Sequence, residues 1–440
     1  MMTARELVTK RIARRARQFP DLKLVALDTT GLDGRDAALA AAIDHAVARR
    51  WLTLAAILDQ LLDRPWERVQ PDLQAVLLVG AAQLLLMDRV PAHAAINEAV
   101  ELAKRLVRSK AGGLVNAVLR KVAALRAEMI QTAPDLPAPP DVLPLHDGRA
   151  WRLAAAVFDE DPLRRLAQQT SHPESLLSRW RDAHGWEQTC VLAAHDLVHA
   201  PLIIAGLAGE QEHCLPHEQA GFHIFTGPRE ALDDLLAHHP EARVQDPAAA
   251  APVEATAALR PRLIIDPCAG KGTKTAQLAR LHPEARIIAT DIDPRRMAVL
   301  KETFADSEKV QAVEPEALRP HFDGLADLLL LDVPCSNTGV LGRRLEAKYR
   351  FGGETLTALV DLQRQIVADS IPLLADDAAV LYATCSIEEE ENASQAQWIA
   401  HWHRMRLVKA HLSLPCGLPG QAASRYADGG FFALLERAGG

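Results

Sequence analysis

No stretch of this sequence stays apolar for anything near the roughly 20 residues needed to cross a bilayer, so a membrane partner is not expected. Basic residues near the start (Arg5, Lys10, Arg11, Arg14, Arg15, Arg17) are not followed by an apolar core, which argues against a signal peptide. The 6 cysteines include no C-x-x-C pair, so a zinc ribbon is disfavoured and a reducing cytosol fits. A positive charge excess is missing too. The net charge of −8 argues against a large nucleic-acid surface but leaves room for a local basic patch. What remains is ordinary globular composition, with 49% hydrophobic and 24% charged residues. At 440 residues the chain is long enough for two or three domains, each with its own core.

Residues 1–125 have few aromatics and no alternating strand pattern. Apolar residues recur there at helical spacing, as in Ala38-Leu39-Ala42-Ile43-Ala46-Val47 and Leu73-Val76-Leu77-Gly80-Ala81-Leu84-Leu85. The spacing predicts a bundle of five to seven helices punctuated by Pro65, Pro71 and Pro91. Residues 131–150 carry five prolines and read as an extended linker. Residues 151–250 are mixed, with a helical stretch from His172 to Trp186 and a strand candidate at Pro201–Ala205. His195 and His199 share a helix face, but Asp196 stands where a metal motif needs Glu and no third ligand follows, so a packed or surface pair is expected.

From Leu263 onward strands alternate with helices, which predicts βαβ units and a parallel sheet. Strands are expected at 263–265, 285–289, 325–331 and 378–383, with weaker ones at 406–410 and 430–436. The first runs into Asp266-Pro267-Cys268-Ala269-Gly270-Lys271-Gly272-Thr273-Lys274-Thr275, whose glycines allow a tight turn and close approach of the backbone to a ligand. The second ends at Asp291, placed to accept from ribose hydroxyls. This combination admits a dinucleotide or S-adenosylmethionine, while the absence of G-x-x-x-x-G-K-[ST] excludes a P-loop.

Two later strands end in cysteines, Cys335 in Leu328–Gly339 and Cys385 in Ala379–Ser386. The carboxyl ends of strands in open α/β sheets are where ligands bind. Two thiols there favour methyl transfer, since hydride transfer has no use for a pair of nucleophiles. Carbon 5 of cytosine is too poor a nucleophile to take a methyl group until a thiolate adds at carbon 6. An ordinary thiol has a pKa of about 8.5, so the thiolate needs help. A group near N3 and a base for the carbon-5 proton are also needed. An Asp and a second Cys would meet those needs.

The runs Asp88–Lys104 and Gly113–Val122 resemble the NusB-type RNA-binding helical domain, over about residues 34–125. D-V-P-C-S-N-T-G-V-L (Asp332–Leu341), followed by Arg343, Glu346 and Lys348, and Y-A-T-C-S-I-E-E-E-E-N (Tyr382–Asn392) resemble the RNA cytosine-C5 methyltransferases of the Sun/NOP2 family. The order of domains is similar to that of the RsmB/Sun group, which acts on bacterial 16S ribosomal RNA. The likeness runs from about residue 34 to Asp428–Arg437.

The resemblance implies a multi-domain fold. An all-α NusB-like bundle (1–130) and the linker (131–150) come first, followed by a small α/β RNA-recognition subdomain (151–250) and a Rossmann-like class I methyltransferase domain (251–440). It further implies Cys385 as nucleophile, Cys335 in proton removal and enzyme release, Asp332 at the cytosine N3/N4 edge and Lys274 nearby. S-adenosylmethionine would lie along Cys268, Ala269, Gly270, Lys271, Gly272, Thr273 and Lys274, beside Asp332, with Asp291 on the ribose and Glu316 near the adenine. The sequence departs from the family in A-G-K-G-T-K for the usual A-A-P-G-G-K, in Glu316 for Asp, and in a turn at Asp376-Asp377 for Gly-Gly. Residues 195–206 also lack the usual Asn, Pro-Pro and Arg of the RNA-recognition segment. RNA contacts are expected from Arg343, Arg344, Lys348, Arg350 and the basic N-terminus. The expected protein is a cytoplasmic monomer that binds RNA and not DNA. Methylation of transfer RNA or another RNA, and a non-catalytic assembly factor, are the rival readings.

Overall fold

The computed structural model describes residues 2–23, 25–133 and 135–437. The chain divides into two compact units. One comprises Met1–His199, Leu341–Gly352 and Leu418–Gln421, and the other Ala200–Val340, Gly353–Gly417 and Ala422–Gly440.

In the first unit α1 (Ala4–Ala16), α2 (Gly34–Asp59), α3 (Pro71–Leu86), α4 (Ala92–Leu106) and α5 (Ala111–Leu125) form the expected bundle. Helix α3 is apolar nearly all round and buried from Ala75 to Leu85, as a central helix must be. Gly80 lets α5 approach it: a Cβ there would meet Leu119 Cδ1 at 2.5 Å. Asp33 caps α2 by accepting from Asp36 N, and Pro71 opens α3 where its missing N–H costs nothing.

The proline-rich segment is no linker. Strands β1 (Arg126–Ile130), β2 (Val142–Pro144) and β3 (Ala150–Leu153) form an antiparallel sheet in the order β1-β3-β2. Ala138, Val142, Leu143 and Leu145 are buried. The Gln169 side chain accepts from Ala138 N and donates to Ala138 O, Pro139 O and Val142 O. That amide serves backbone groups that prolines leave outside the ladder.

The 341–352 segment is part of the same unit. Tyr349 is buried in the bundle core, its hydroxyl donating to Ala48 O at 2.8 Å. Lys348 donates to Arg49 O (3.0 Å) and Thr170 O (3.3 Å). Arg49 and Arg50 likewise spend their guanidinium groups on backbone carbonyls, including Val198 O and Pro144 O. Helix α2 departs from helical geometry at Arg50 (φ −120°, ψ 25°).

The second unit opens with β4 (Leu202–Ala205), β5 (Cys214–Pro216), β6 (Phe222–Phe225) and β7 (Arg243–Val244), an antiparallel sheet in the order β5-β6-β4-β7. Residues 151–250, expected as one subdomain, thus divide after His199. The main sheet follows: β8 (Leu263–Asp266), β9 (Arg286–Ala289), β10 (Val310–Ala312), β11 (Ala326–Asp332), β12 (Leu374–Thr384), β13 (Met405–Ser413) and β14 (Gly430–Arg437).

Its order is β10-β9-β8-β11-β12-β14-β13. The first five strands are parallel, whereas β14 runs antiparallel to β12 and β13 antiparallel to β14, so the sheet is mixed at one edge. Strand β10 escapes the periodicity because it is three residues long with one buried side chain. Strand β11 is buried on both faces, with Leu329 and Leu331 in one core cluster and Leu328 and Leu330 in another, which is why it reads as a continuous apolar run. Asp376 and Asp377 lie inside β12, not in a turn. The pairing jumps from Ala326↔Leu374 to Leu328↔Ala379, and this bulge turns both carboxylates to solvent. Chain order reverses beside β8, so the loops after β8, β9 and β11 converge at the ligand-binding edge.

Candidate active site

Strand β8 delivers the Asp266–Thr275 loop into the helix Thr273–Leu281. Gly270 and Gly272 both take the left-handed conformation, with φ +59° and +89°. A side chain at Gly272 would strike Phe304 at 2.5 Å, while at Gly270 it would meet nothing within 4 Å among the described residues. Asp291, after β9, closes the loop from the far side. Its Oδ2 accepts from Gly270 N at 2.9 Å and its Oδ1 from Asp293 N at 2.8 Å. A carboxylate offers about four acceptor positions, so two backbone bonds leave capacity for hydroxyl donors.

Asp266 is buried and accepts from Thr275 Oγ1 at 2.7 Å, but its Oδ1 has no hydrogen-bond partner among the described residues. Burial pushes this carboxyl up to about 7, against the Thr275 bond. Cys268 packs half-buried in the loop, its thiol pushed up by burial and then by Asp266. Ala269 lies partly buried in the loop, Lys271 and Thr273 are exposed, and Glu316 is exposed on the turn Pro315–Ala317 after β10.

The cysteines meet. Cys335 Sγ and Cys385 Sγ stand 3.2 Å apart, both as free thiols, although 50 residues separate them. Cys335 is buried, and its thiol is pushed well up, first by the hydrogen bond with Cys385 and then by burial. Cys385 donates to Asn337 Oδ1 at 3.3 Å, and Asn337 donates to Cys335 O at 2.7 Å from a left-handed backbone (φ 63°). Beside them Lys274 Nζ donates to Asp332 Oδ2 at 2.7 Å. Burial works against the Lys274 charge, but Asp332, and after it Cys385 and Asp266, raise its affinity for a proton overall. Cys385, Cys335, Asp332 and Lys274, singled out from the sequence, therefore share one sheet edge.

Sequence reasoning missed a polar layer around the thiols. Glu391, fully buried, accepts from Ser336 N (2.9 Å), from Ser336 Oγ and from Gln363 Nε2 (2.9 Å). Ser336 and Ser386 hydroxyls lie 3.0 Å apart, and Tyr382 donates to Glu391 O at 2.7 Å. The only signal was the E-E-E-E-N run itself, which does not say which glutamate turns inward.

Several expected RNA contacts are corrected. Lys348 is buried and bonded to carbonyls, so it is a packing residue; Arg343 and Arg344 are exposed. Arg350 is half-exposed and 4.0 Å from Glu346. Of the N-terminal residues, Arg11 and Arg15 pair with Asp44, Arg17 with Asp72 and Lys10 with Glu6, so this stretch mainly knits the bundle. His199 stacks on His146 (3.9 Å between ring centroids) and His195 is buried.

The loop also passes a test of fit for S-adenosylmethionine. The orphaned Asp266 oxygen suits a donor group, Asp291 suits hydroxyls, and the space at Gly270 admits close approach. Fold and site thus define a methyltransferase whose cofactor is S-adenosylmethionine. A NusB family profile matches residues 2–124, and a profile described as 16S rRNA methyltransferase RsmB/F matches residues 256–424. Ribosomal RNA small subunit methyltransferase B of Vibrio cholerae is 30% identical over 428 residues, covering 92% of this chain and 90% of that one. The Xanthomonas campestris protein of the same name is 29% identical with the same coverage. The chain belongs to the RsmB/F methyltransferase family. The NusB match includes α1, ahead of the expected start at 34, and Ala4, Val8 and Ile12 of that helix are buried. The crystal structure of the protein PH0851 shares the fold (TM-score 0.69, 19% identity, 93% of this chain and 92% of that one). A methyltransferase homologue from Pyrococcus horikoshii matches at TM-score 0.51 and 16% identity, over 64% of this chain and 100% of that one.

Proposed function

We propose that this protein methylates carbon 5 of a cytosine in 16S ribosomal RNA through a covalent bond between Cys385 and the base. The observation that carries the reading is the pair of free thiols 3.2 Å apart, with the Lys274–Asp332 ion pair beside them. The ribosomal RNA substrate is that of the relatives named for it, and a cytoplasmic location goes with it.

Cys385 Sγ adds to carbon 6 of the target base, which turns carbon 5 into an enamine carbon. Asp332 holds the N3/N4 edge, and Lys274 keeps that carboxylate in place and offsets the charge developing on the ring. When bound along Cys268–Lys274, Asp291 and Glu316, S-adenosylmethionine supplies an electrophilic methyl group. With Cys385 bonded to the base, Cys335 releases its own proton to solvent and, as thiolate, takes the proton from carbon 5. The electron pair of that C–H bond restores the ring double bond, the Cys385–carbon 6 bond breaks, and methylated RNA leaves. The target base must be single-stranded or turned out of its stack. Residues 202–244 and the exposed Arg343 and Arg344 are the proposed RNA contacts.

Bisulfite sequencing of ribosomal RNA from cells with and without the gene tests the substrate. One small-subunit cytosine should lose its methyl group in the deleted strain. Unchanged methylation throughout that RNA would contradict the assignment.

A further inference from the structure

Two touching thiols raise a question that the roles above leave open: what makes one of them the attacking sulfur? We propose that Glu391 is the positioning residue that decides this, by clamping the turn behind Cys335 and setting a buried negative charge beneath it. The inference rests on the cysteine roles given under the proposed function.

The geometry is specific. Ser336 follows Cys335 directly, and Glu391 takes both its N–H (2.9 Å) and its hydroxyl. Gln363 bridges the same carboxylate (2.9 Å) to Pro334 O (3.0 Å), the carbonyl just before Cys335. Glu391 therefore grips the Cys335 turn from both sides. It also grips the other cysteine's strand, since Tyr382 of β12 donates to Glu391 O. Two N–H donors meet at Oε1 and the Ser336 hydroxyl reaches Oε2, an arrangement that suits an ionised carboxylate. Burial raises its proton affinity overall, and the bonds from Ser336, Ser386 and Gln363 only partly oppose that.

The surrounding charges are unequal. On the Cys385 side stands the Lys274 ammonium, which interacts with that sulfur and with Asp332. Glu391 acts on Cys335, where its charge adds to the effects of Cys385 and burial in holding the proton on that thiol. The charge beneath Cys335 thus makes that thiol the harder of the two to ionise, and Cys385 is left to attack.

The test is site-resolved alkylation of the intact protein by iodoacetamide, read by peptide mass spectrometry without RNA or cofactor. In the wild-type chain Cys385 should be modified before Cys335. Glu391→Gln keeps the shape and an acceptor for Ser336 N but removes the charge, and should raise the Cys335:Cys385 ratio by about tenfold, the equivalent of one pKa unit. Glu391→Asp keeps the charge and should stay near the wild-type ratio, which a purely steric role would not predict. An unchanged ratio in Glu391→Gln overturns the proposal. So does a wild-type chain in which Cys335 reacts first, even if neither variant folds. Because no RNA is present, the outcome stands apart from the proposed function, which a failure to methylate would overturn separately.

Discussion

At the residue scale, the proposed reaction rests on four side chains, Cys385, Cys335, Asp332 and Lys274, that lie side by side. Lys274 and Asp332 are only partly screened from solvent, so their pair matters as orientation more than as stability. Lys274→Met leaves Asp332 without its partner at 2.7 Å. Its kcat should fall by about 10²-fold or more, on the scale of a lost acid–base or electrostatic group. Near-normal kcat would remove Lys274 from the reaction. The two cysteines were legible in the sequence because P-C and T-C each end an apolar strand, and strand ends at one sheet edge must converge, whereas Asp332 and Lys274 came from the family resemblance. Glu391 was not. Four consecutive glutamates look alike in sequence, and only the 3-10 turn Glu389–Glu391 selects the one that points under the thiols. The charge of Lys348 misled in the opposite way, since a lysine in a basic run reads as surface until its carbonyl partners are seen.

At the scale of elements, the glycine loop is the most exposed to substitution. Gly272 needs φ +89° and has Phe304 at 2.5 Å from a built Cβ, whereas Gly270 has open space and a milder φ of +59°. Gly272→Ala should destabilise the protein by about 1–3 kcal/mol and weaken cofactor binding, while Gly270→Ala costs about 1 kcal/mol through the backbone alone. Thermal melts with and without S-adenosylmethionine rank the two, and equal losses would show that the Phe304 contact does not matter. Elements with strong period were readable, as the bundle helices and β8, β9, β11 and β12 show. The short β10, the bulge at Asp376-Asp377 and the strands hidden in the proline-rich segment were not. Each depends on hydrogen bonds to partners distant in sequence, which local pattern does not carry.

At the scale of the whole molecule, the first unit holds an ionisable group that should register in its pH stability. Burial pushes Lys348 down to about 7, with Asp196 opposing and Arg49 and Arg50 adding to the fall. The unfolded chain keeps an ordinary lysine near 10.4, so it binds more protons than the native state between about pH 7 and 10.4. Stability from this group therefore rises with pH across that window, and the full penalty applies below it. Lys348→Met removes the dependence, so the melting-temperature difference should move in favour of wild type as pH is raised from 7 to 10. A difference that stays constant would mean Lys348 titrates normally. The acidic net charge of −8 makes any RNA surface local. Affinity for small-subunit RNA should still fall steeply with salt, and less steeply in an Arg343→Ala, Arg344→Ala double variant, because phosphate contacts release counterions. The same slope for both would place the RNA elsewhere.

The central claim is that Cys385 bonds to the base and Cys335 lets it go. Cys335→Ala protein, incubated with S-adenosylmethionine and small-subunit ribosomal RNA, then digested and mapped by mass spectrometry, tests it directly. The expected result is a nucleotide attached to the peptide bearing Cys385, with no adduct and no methylation in Cys385→Ala. A Cys335→Ala protein that forms no adduct, or a Cys385→Ala protein that still methylates RNA, would contradict it.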